Sequence, residues 1–337
     1  MDRRTFLRSL GATSLGFALG GLSGQADNAP KLGRMAYQLS WIKNFQFAGS
    51  YVADSKRYYQ QYGVDVDLLA GGPTMSVDPI VVSGKALVGQ SSPDFMCNAI
   101  GKGAPVKCIG ANYQRAVFCM MSMSKTPLNC PQDMIGRKIG IQTGNLVAWH
   151  AFLKLNKIAP SSMQVVPVEG DFTPLVTGEV DGFFAYANDD VIQIRNKGFD
   201  IHYFLFADYG YKMLAATYSV RTDSLADKVK RAQIVAFMRG EIRGWQDAIK
   251  DPAMASRLTV DIYGKGNGLD PRGEEASCVA TNDFIVNSDT AAHGLFWMSP
   301  ASVDETITTL AAGDVKATPN MFTNEILEEA YEYKATV

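Results

Sequence analysis

Residues able to stack on and hydrogen-bond a small molecule recur directly after several apolar segments of this 337-residue chain. The first group, residues 41–47, is rich in aromatics at a place where a solvent-facing loop is normally polar. The later groups are residues 71–74, 91–94, 142–145, 169–171 and 186–189. Together the groups offer rings, amides, hydroxyls and carboxylates, and their one cation is Lys43.

This inventory favours a flat, nitrogen-rich heteroaromatic ligand. Aromatic rings stack in offset geometry, worth about 0.5–1.5 kcal/mol per pair beyond area burial. Carboxylates and amides accept hydrogen bonds from ring N–H groups and exocyclic amines. A sulfonate or phosphate would instead favour helix N-termini with Arg or Lys. The predicted ligand-binding residues are Trp41, Phe45 and Tyr186 for stacking, Asp94, Asn145, Glu169 and Asn188 for orientation, and Gln46 beside them.

Most of these residues also have a purely structural interpretation. Trp41 at a strand end could pack in the core, as large aromatics usually do. Asp94 and Asn145 could cap the helices that follow them. Glu169 directly follows a predicted strand, which favours ligand contact, whereas the neighbouring aspartates could be solvated loop acids. Tyr211, close to Tyr209, is typical of packing between two parts of the fold.

Composition excludes several other classes of function. The formal net charge is −2 and the chain has no basic runs, which makes nucleic acid or an anionic membrane an unsuitable partner. Neither the three histidines nor the cysteines have metal-ligand spacing, so we expect no metal site and no cofactor. The cysteines are Cys97, Cys108, Cys119, Cys130 and Cys278. In an oxidising compartment one pair could form a disulfide, and at least one thiol would stay free.

The N-terminal 26 residues have the pattern of an export signal. Arg3, Arg4 and Arg8 precede an apolar, Gly/Ala-rich run, which is far shorter than the roughly 20 residues of a membrane-spanning helix. The Arg-Arg-Thr-Phe-Leu start resembles a twin-arginine signal. No cysteine lies near the expected cleavage site, so we expect a mature protein that is free in the periplasm. Removing this segment would lower the net charge from −2 to −4.

The elements that must position these loops alternate between strand and helix. Strands are predicted at 34–39, 64–69, 87–90, 106–111, 138–141, 164–168, 180–184 and 213–221, and the chain after residue 225 is predominantly helical. This alternation predicts an α/β fold of two lobes, each with a mostly parallel sheet, and a helical C-terminal region. In such sheets ligands lie beyond the carboxyl ends of the strands. The predicted division is lobe one at 34–120, lobe two at 121–213, and completion of lobe one at 214–337.

Several short motifs carry a resemblance to a known family. They are Leu39-Ser40-Trp41 before residues 47–53, residues 63–66, residues 82–86, residues 135–140, and Gly178-Glu179-Val180-Asp181-Gly182. Over roughly residues 35–223 the chain resembles the nitrate/sulfonate/taurine-type periplasmic binding proteins, and within them the branch related to thiamine-pyrimidine precursor synthesis and uptake. The resemblance implies a type II periplasmic binding protein, a monomer that closes around a ligand without catalysis. It would deliver the ligand to an ABC permease and touch the membrane only through that permease.

Three functional hypotheses follow. The first is capture of a flat heteroaromatic, such as an aminopyrimidine thiamine precursor or a flavin-like ring. The second is capture of a sulfonate or other small anion, which would depend on Lys43. The third is an enzyme like the pyrimidine phosphate synthase of the same branch. Against it, Ser91 and Phe95 stand near the positions of that enzyme's lysine and histidine, and residues 214–218 replace its cysteine-rich run.

Overall fold

The computed structural model describes residues 31–332, so the export signal predicted at residues 1–26 lies outside the described part. The strands are β1 Gly33–Gln38, β2 Val64–Leu69, β3 Val88–Ser91, β4 Val106–Tyr113, β5 Phe118–Met123, β6 Lys138–Ile141, β7 Gln164–Pro167, β8 Gly182–Tyr186, β9 Ile201–Leu205 and β10 Ala215–Arg221. The first seven helices are α1 Ala48–Ser55, α2 Tyr58–Gln61, α3 Val77–Val82, α4 Pro93–Gly101, α5 Leu146–Leu155, α6 Thr173–Val176 and α7 Asp190–Asn196. The other seven are α8 Thr222–Ala226, α9 Lys228–Lys250, α10 Pro252–Leu258, α11 Pro271–Ile285, α12 Ser288–His293, α13 Pro300–Ala312 and α14 Glu325–Glu332.

The strands form two five-stranded sheets of equivalent order, β2-β1-β3-β10-β4 and β7-β6-β8-β5-β9. In the first sheet, β1 pairs in parallel with β2 and β3, and β10 is antiparallel to β3 and β4. In the second sheet, β6 pairs in parallel with β7 and β8, and β5 is antiparallel to β8 and β9. Each sheet is therefore mostly parallel, and the carboxyl ends of its parallel strands meet at one edge.

The chain passes between the sheets twice, between β4 and β5 and again between β9 and β10. The predicted limit of lobe one at residue 120 falls inside β5, whereas the second limit at residue 214 lies just before β10. Neither β5 nor β9 was predicted as a strand, because short apolar runs without alternation look the same in a strand and in a buried helix. Below, the first lobe is the one that contains the sheet β2-β1-β3-β10-β4, and the second lobe is the one that contains the sheet β7-β6-β8-β5-β9.

Two C-terminal helices contact both lobes. Helix α11 packs against α7 of the second lobe and against the short 3-10 turn Phe45–Phe47 of the first. Helix α13 packs on α5 of the second lobe, and Lys154 at the end of α5 forms an ion pair with Asp314 at 3.1 Å. The region after residue 214 therefore braces the second lobe as well as completing the first sheet.

Helix α9 covers one face of the first sheet and packs very closely on α1. Glycines at the contact allow the two backbones to approach: a Cβ atom at Gly244 would lie 2.1 Å from the carbonyl oxygen of Gly49. Next to this contact the carboxylate of Glu241 is fully buried and accepts hydrogen bonds from the hydroxyls of Ser50 at 3.0 Å, Tyr218 at 2.7 Å, and Tyr59. Burial raises the pKa of Glu241, and these donors oppose the shift.

The Gly244→Ala substitution should destabilise the protein by about 1–3 kcal/mol, the usual cost of overpacking, because the new methyl group meets backbone that cannot rotate away. Urea denaturation would measure the change in the free energy of unfolding. Gly101→Ala is the control, since Gly101 is likewise helical, as the last residue of α4, but has open space around its Cα. Equal stability of the two variants would contradict the packing described.

Candidate functional site

The loops after β1 and β2 are held against each other. The side-chain amide of Gln38 donates to the carbonyl oxygens of Leu39 at 3.0 Å and Ala70 at 3.1 Å. The N–H of Gly71 donates to the carbonyl oxygen of Trp41 at 2.9 Å, and a Cβ at Gly71 would lie 2.5–2.7 Å from atoms of residues 39–41. Only glycine permits so close an approach, and this contact fixes the backbone that carries Trp41.

Three large apolar side chains stand exposed in the segments that follow β1, β2 and β3, the third of them in the first turn of α4. Trp41 after β1 is 38% exposed, Met75 after β2 is 44% exposed, and Phe95 after β3 is 65% exposed. Exposed apolar groups that share one edge mark a binding surface more often than isolated ones do. The exposure of Trp41 also excludes its alternative role as a core residue.

A cavity of about 490 Å³ lies between these loops and α4, within the usual range of ligand pockets. We call it the first-lobe cavity. Its polar lining includes Ser40, which follows β1, Ser91 and Ser92 at the end of β3, and Asp78 in α3. Its apolar lining includes two of the exposed side chains, Met75 and Phe95.

Asp94 lies in the first turn of α4 and faces the second lobe. Ser92 donates a hydrogen bond to its carboxylate, and Asp94 itself does not cap the helix. The pKa values of Tyr186 and Tyr211 in the second lobe are raised, first by burial and then by the negative charges around them, Asp94 among them. The charge of Asp94, in the first lobe, therefore acts on both tyrosines.

The second lobe presents an aromatic wall to the cleft. The ring of Phe118, at the start of β5, contacts Tyr186 edge-on at 5.2 Å and Tyr211 at 5.8 Å between centroids. The hydroxyl of Tyr186 donates to Asn145 Oδ1 at 3.1 Å, and the Asn145 amide donates to Gln142 Oε1 at 3.0 Å. Asn145 makes no side-chain cap on α5. Its amide therefore belongs to the wall, and its role in ligand binding stays a prediction.

Other residues predicted to bind the ligand lie elsewhere. Phe45 is only 1% exposed, so its ring packs in the core and cannot stack on a ligand; its N–H donates to Glu274 at 2.7 Å. Asn188 is buried and donates to Thr281 Oγ1 at 3.0 Å, which ties the second lobe to α11. Both are corrections to the sequence-based prediction, and the cause is helix α11, which covers their loops.

Glu169, Gln46 and Lys43 are not joined to the cleft by any described contact. Glu169 is exposed, and Gln46 is half-buried with its N–H donating to Asn44 at 3.2 Å. Their roles stay predictions. Lys43 lines a separate cavity beside the edge strand β2, next to Asp54 and Asp67. The cation on which anion capture would depend therefore lies outside the group formed by Asp94 and the aromatic wall.

Sequence reasoning missed part of the site. The pattern around Tyr211 indicated packing between the lobes. Met75 lies in a loop broken by glycine and proline, and Phe118 lies in a strand that the pattern does not predict, so neither was among the candidates. Phe95 was noted only for its position relative to the synthase. The signal that could have found them is a large apolar side chain next to a predicted strand end.

A group of buried acids lies where α7 meets α11. Burial raises the pKa of Asp190 to about 7 and the pKa of Glu274 to about 7, and the negative charge of Asp189 adds to both shifts. Asp190 accepts a hydrogen bond from the N–H of Tyr186 at 2.9 Å, so this group supports the aromatic wall from behind.

The buried acids predict that stability rises as the pH is lowered. Both carboxyls have folded-state pKa values above the roughly 4 of an unfolded chain, so the folded protein binds more protons between about pH 4 and 7. The free energy of unfolding therefore falls as the pH rises through this window. Melting temperatures at pH 5.5 and 8 should show the difference, and Glu274→Gln should reduce it. Glu275→Gln, at an exposed neighbour, should leave the difference unchanged; an equal effect of both variants would contradict the assignment.

Among residues 31–332 no cluster of three or more His, Cys, Asp or Glu is arranged to hold a metal ion. All five cysteines are unpaired, and four of them are buried. No helix in the same part of the chain is both long and apolar enough to cross a membrane.

Comparisons with known proteins place this architecture. The chain is 26% identical over 319 residues to the riboflavin-binding protein RibY of Chloroflexus aurantiacus, covering 90% of this chain and 88% of that protein. It is 21% identical over 259 residues to the formylaminopyrimidine-binding protein of Halalkalibacterium halodurans, covering 72% and 74%. The periplasmic aliphatic sulphonate binding protein SsuA of Escherichia coli has the same fold, with a TM-score of 0.62 at 12% identity over 84% of this chain and 86% of that one.

These findings confirm the predicted fold class, two α/β lobes of the periplasmic binding protein type with a helical C-terminal region, and the predicted resemblance to solute-binding proteins. Residues 44–255 match the family described as NMT1/THI5 like. Because that match spans more than half of the 337 residues, the chain belongs to the NMT1/THI5-like family.

Proposed function

We propose that the protein captures a flat nitrogen heteroaromatic between its lobes and delivers it to an ABC importer. The observation that carries the proposal is an aromatic wall of Phe118, Tyr186 and Tyr211 with the Asp94 carboxylate of the first lobe close enough for its charge to act on both tyrosines. Tyr211 is 4% exposed and supports the wall from within, whereas a flat ring can stack on the half-buried Phe118 and Tyr186 while its N–H or amine groups donate to the carboxylate. Two relatives support the same ligand class, since one is named as a riboflavin-binding protein and the other as a formylaminopyrimidine-binding protein.

The charge at the cleft opposes a small anion. Within the described chain the groups that meet there are a carboxylate, amides, hydroxyls and rings, and Lys43 lines another cavity. A sulfonate beside Asp94 would meet a like charge, and the cation in the lining of the neighbouring first-lobe cavity, Lys102, is exposed. Sulfonate capture, the function named for the fold neighbour, is therefore the weaker alternative for this chain.

The fold supports capture by lobe closure. Asp94 belongs to the first lobe and Tyr186 to the second, so a ligand that contacts both favours the closed arrangement. The two crossings, at residues 114–117 and 206–214, form the hinge. In this proposal the protein is exported, works in the periplasm as a monomer, and performs no catalysis. Ser91 and Phe95 stand where the synthase would need a lysine and a histidine.

Ligand titrations test the proposal. Riboflavin and formylaminopyrimidine should raise the melting temperature or quench the fluorescence of the exposed Trp41, whereas taurine should do neither. Asp94→Asn should weaken binding by about ten- to a hundredfold, because a hydrogen bond to a charged group is worth roughly 1.5–3 kcal/mol. If neither heteroaromatic has an effect, the proposed ligand class is wrong.

Two control variants sharpen the result. Asp65→Asn removes an exposed carboxylate from β2 and should leave binding unchanged. Lys43→Ala should also leave heteroaromatic binding unchanged, whereas loss of taurine binding in that variant would favour the anion alternative.

A further inference from the structure

We propose that the first-lobe cavity is a second compartment of the binding site, which receives a neutral, polyhydroxylated arm attached to the ligand's ring. The inference rests on the proposed function, because the ring itself is assigned to the cleft between Asp94 and the aromatic wall. It adds that the ligand is more than a single ring.

The first-lobe cavity is lined by residues that are neighbours in sequence of Trp41 and Asp94. Ser40, directly before Trp41, lines the cavity, and so do Ser91 and Ser92, directly before the turn of α4 that carries Asp94. Ser92 also donates its hydroxyl proton to Asp94. A ring held at Asp94 therefore has the mouth of the first-lobe cavity beside it.

The lining of the cavity matches a chain of alternating C–H and O–H groups. Five hydroxyl side chains contribute, and most of the remaining lining is apolar, including Pro73, Val77, Pro79 and Ala99. Asp78, Asn98 and the exposed Lys102 complete the polar lining. The hydroxyl residues are Ser40, Thr74, Ser76, Ser91 and Ser92. Each hydroxyl can donate and accept. Ser40, Ser91 and Ser92 already donate within the protein, so a hydroxylated arm adds hydrogen bonds to their oxygens that an apolar arm cannot make.

Two of these hydroxyls have their protons already committed to the protein. Ser91 Oγ donates to Asp78 Oδ2 at 2.8 Å, and Ser40 Oγ donates to Gln90 Oε1 at 3.2 Å. Their oxygens are left to accept, so the matching group on a ligand is a donor. This direction fits a hydroxyl or an amine and excludes a carboxylate, sulfonate or phosphate at that point.

The carboxylate of Asp78 reinforces the choice. Asp78 is 5% exposed, and its second oxygen, Oδ1, has no hydrogen-bond partner among residues 31–332. The hydroxyl of Ser219 lies nearby but donates to the carbonyl oxygen of Gly89 at 3.4 Å. This incompletely paired acid in the lining disfavours an anionic group beside it, whereas hydroxyl dipoles can orient toward it. The one cation of the lining, Lys102, is exposed, whereas Asp78 is buried.

Two flavins with the same ring system distinguish binding of the ring from binding of the arm. Riboflavin carries a ribityl chain where lumiflavin carries a methyl group on the same ring system. Fluorescence titration should show riboflavin binding at least about tenfold more tightly than lumiflavin, which corresponds to one or two good hydrogen bonds. Ser91→Ala should weaken riboflavin binding about tenfold or more and leave lumiflavin binding unchanged.

Two further variants keep the test decisive. Ala99→Leu adds bulk inside the cavity and should lower riboflavin affinity to that of lumiflavin, which serves if Ser91→Ala fails to fold. Ser83→Ala is the control, because its exposed hydroxyl only donates to Ile80 at the end of α3.

Each outcome bears on the proposal. Equal affinity for the two flavins, unchanged by Ser91→Ala or Ala99→Leu, would overturn the second compartment and leave the proposed function intact. Binding of formylaminopyrimidine without either flavin would likewise reject the compartment and keep the ring class. Binding of none of the three would refute the proposed function and the compartment together.

Discussion

In each sheet the fourth strand, β10 in the first and β5 in the second, runs antiparallel to its neighbours. Each of these two strands is the first that the chain forms after it passes from one lobe to the other. β5 is paired on both sides by β8 and β9, and β10 by β3 and β4. Because both crossings end in doubly paired strands, relative movement of the lobes must be taken up by the crossings themselves and by the contacts of α11 and α13. The crossings also supply the cleft: Phe118 begins β5, and Tyr211 lies in the return segment.

The same connections give the two lobes different chemical tasks. The first lobe contributes the carboxylate of Asp94, the exposed apolar rim of Trp41, Met75 and Phe95, and the hydroxyl-lined first-lobe cavity. The second lobe contributes the aromatic wall with the Asn145 amide hydrogen-bonded to Tyr186. In the proposed function, an occupant in contact with both lobes needs a flat face and hydrogen-bond donors. Selectivity would then come from closure of the lobes, because neither lobe by itself presents both features.

Much of this could be predicted from local patterns. Gly63 after an amphipathic helix, the alternating run at residues 64–69, and the Gly-rich loop after it each have a local physical cause, and the structure places β2 and its loop there. Asp94, Asn145 and Tyr186 were predicted as ligand-binding residues because residues at the ends of parallel strands converge at one edge, and that role stays a prediction. Phe45 and Asn188 obeyed the same rule but were covered by α11, a helix more than 80 residues further along the chain, which local patterns cannot anticipate.

The sequence by itself determined the α/β class, the two mostly parallel sheets and the loops that line their edges, because hydrophobic periodicity and turn residues act over a few positions. The tertiary structure alone decided which loop residues face the cleft. It placed Lys43 beside the edge strand β2 and Phe45 in the core, and it brought Phe118 into contact with Tyr186 and Tyr211. The physical reason is that burial and electrostatic neighbours depend on which distant elements pack together, and a chain's local pattern carries no record of that packing.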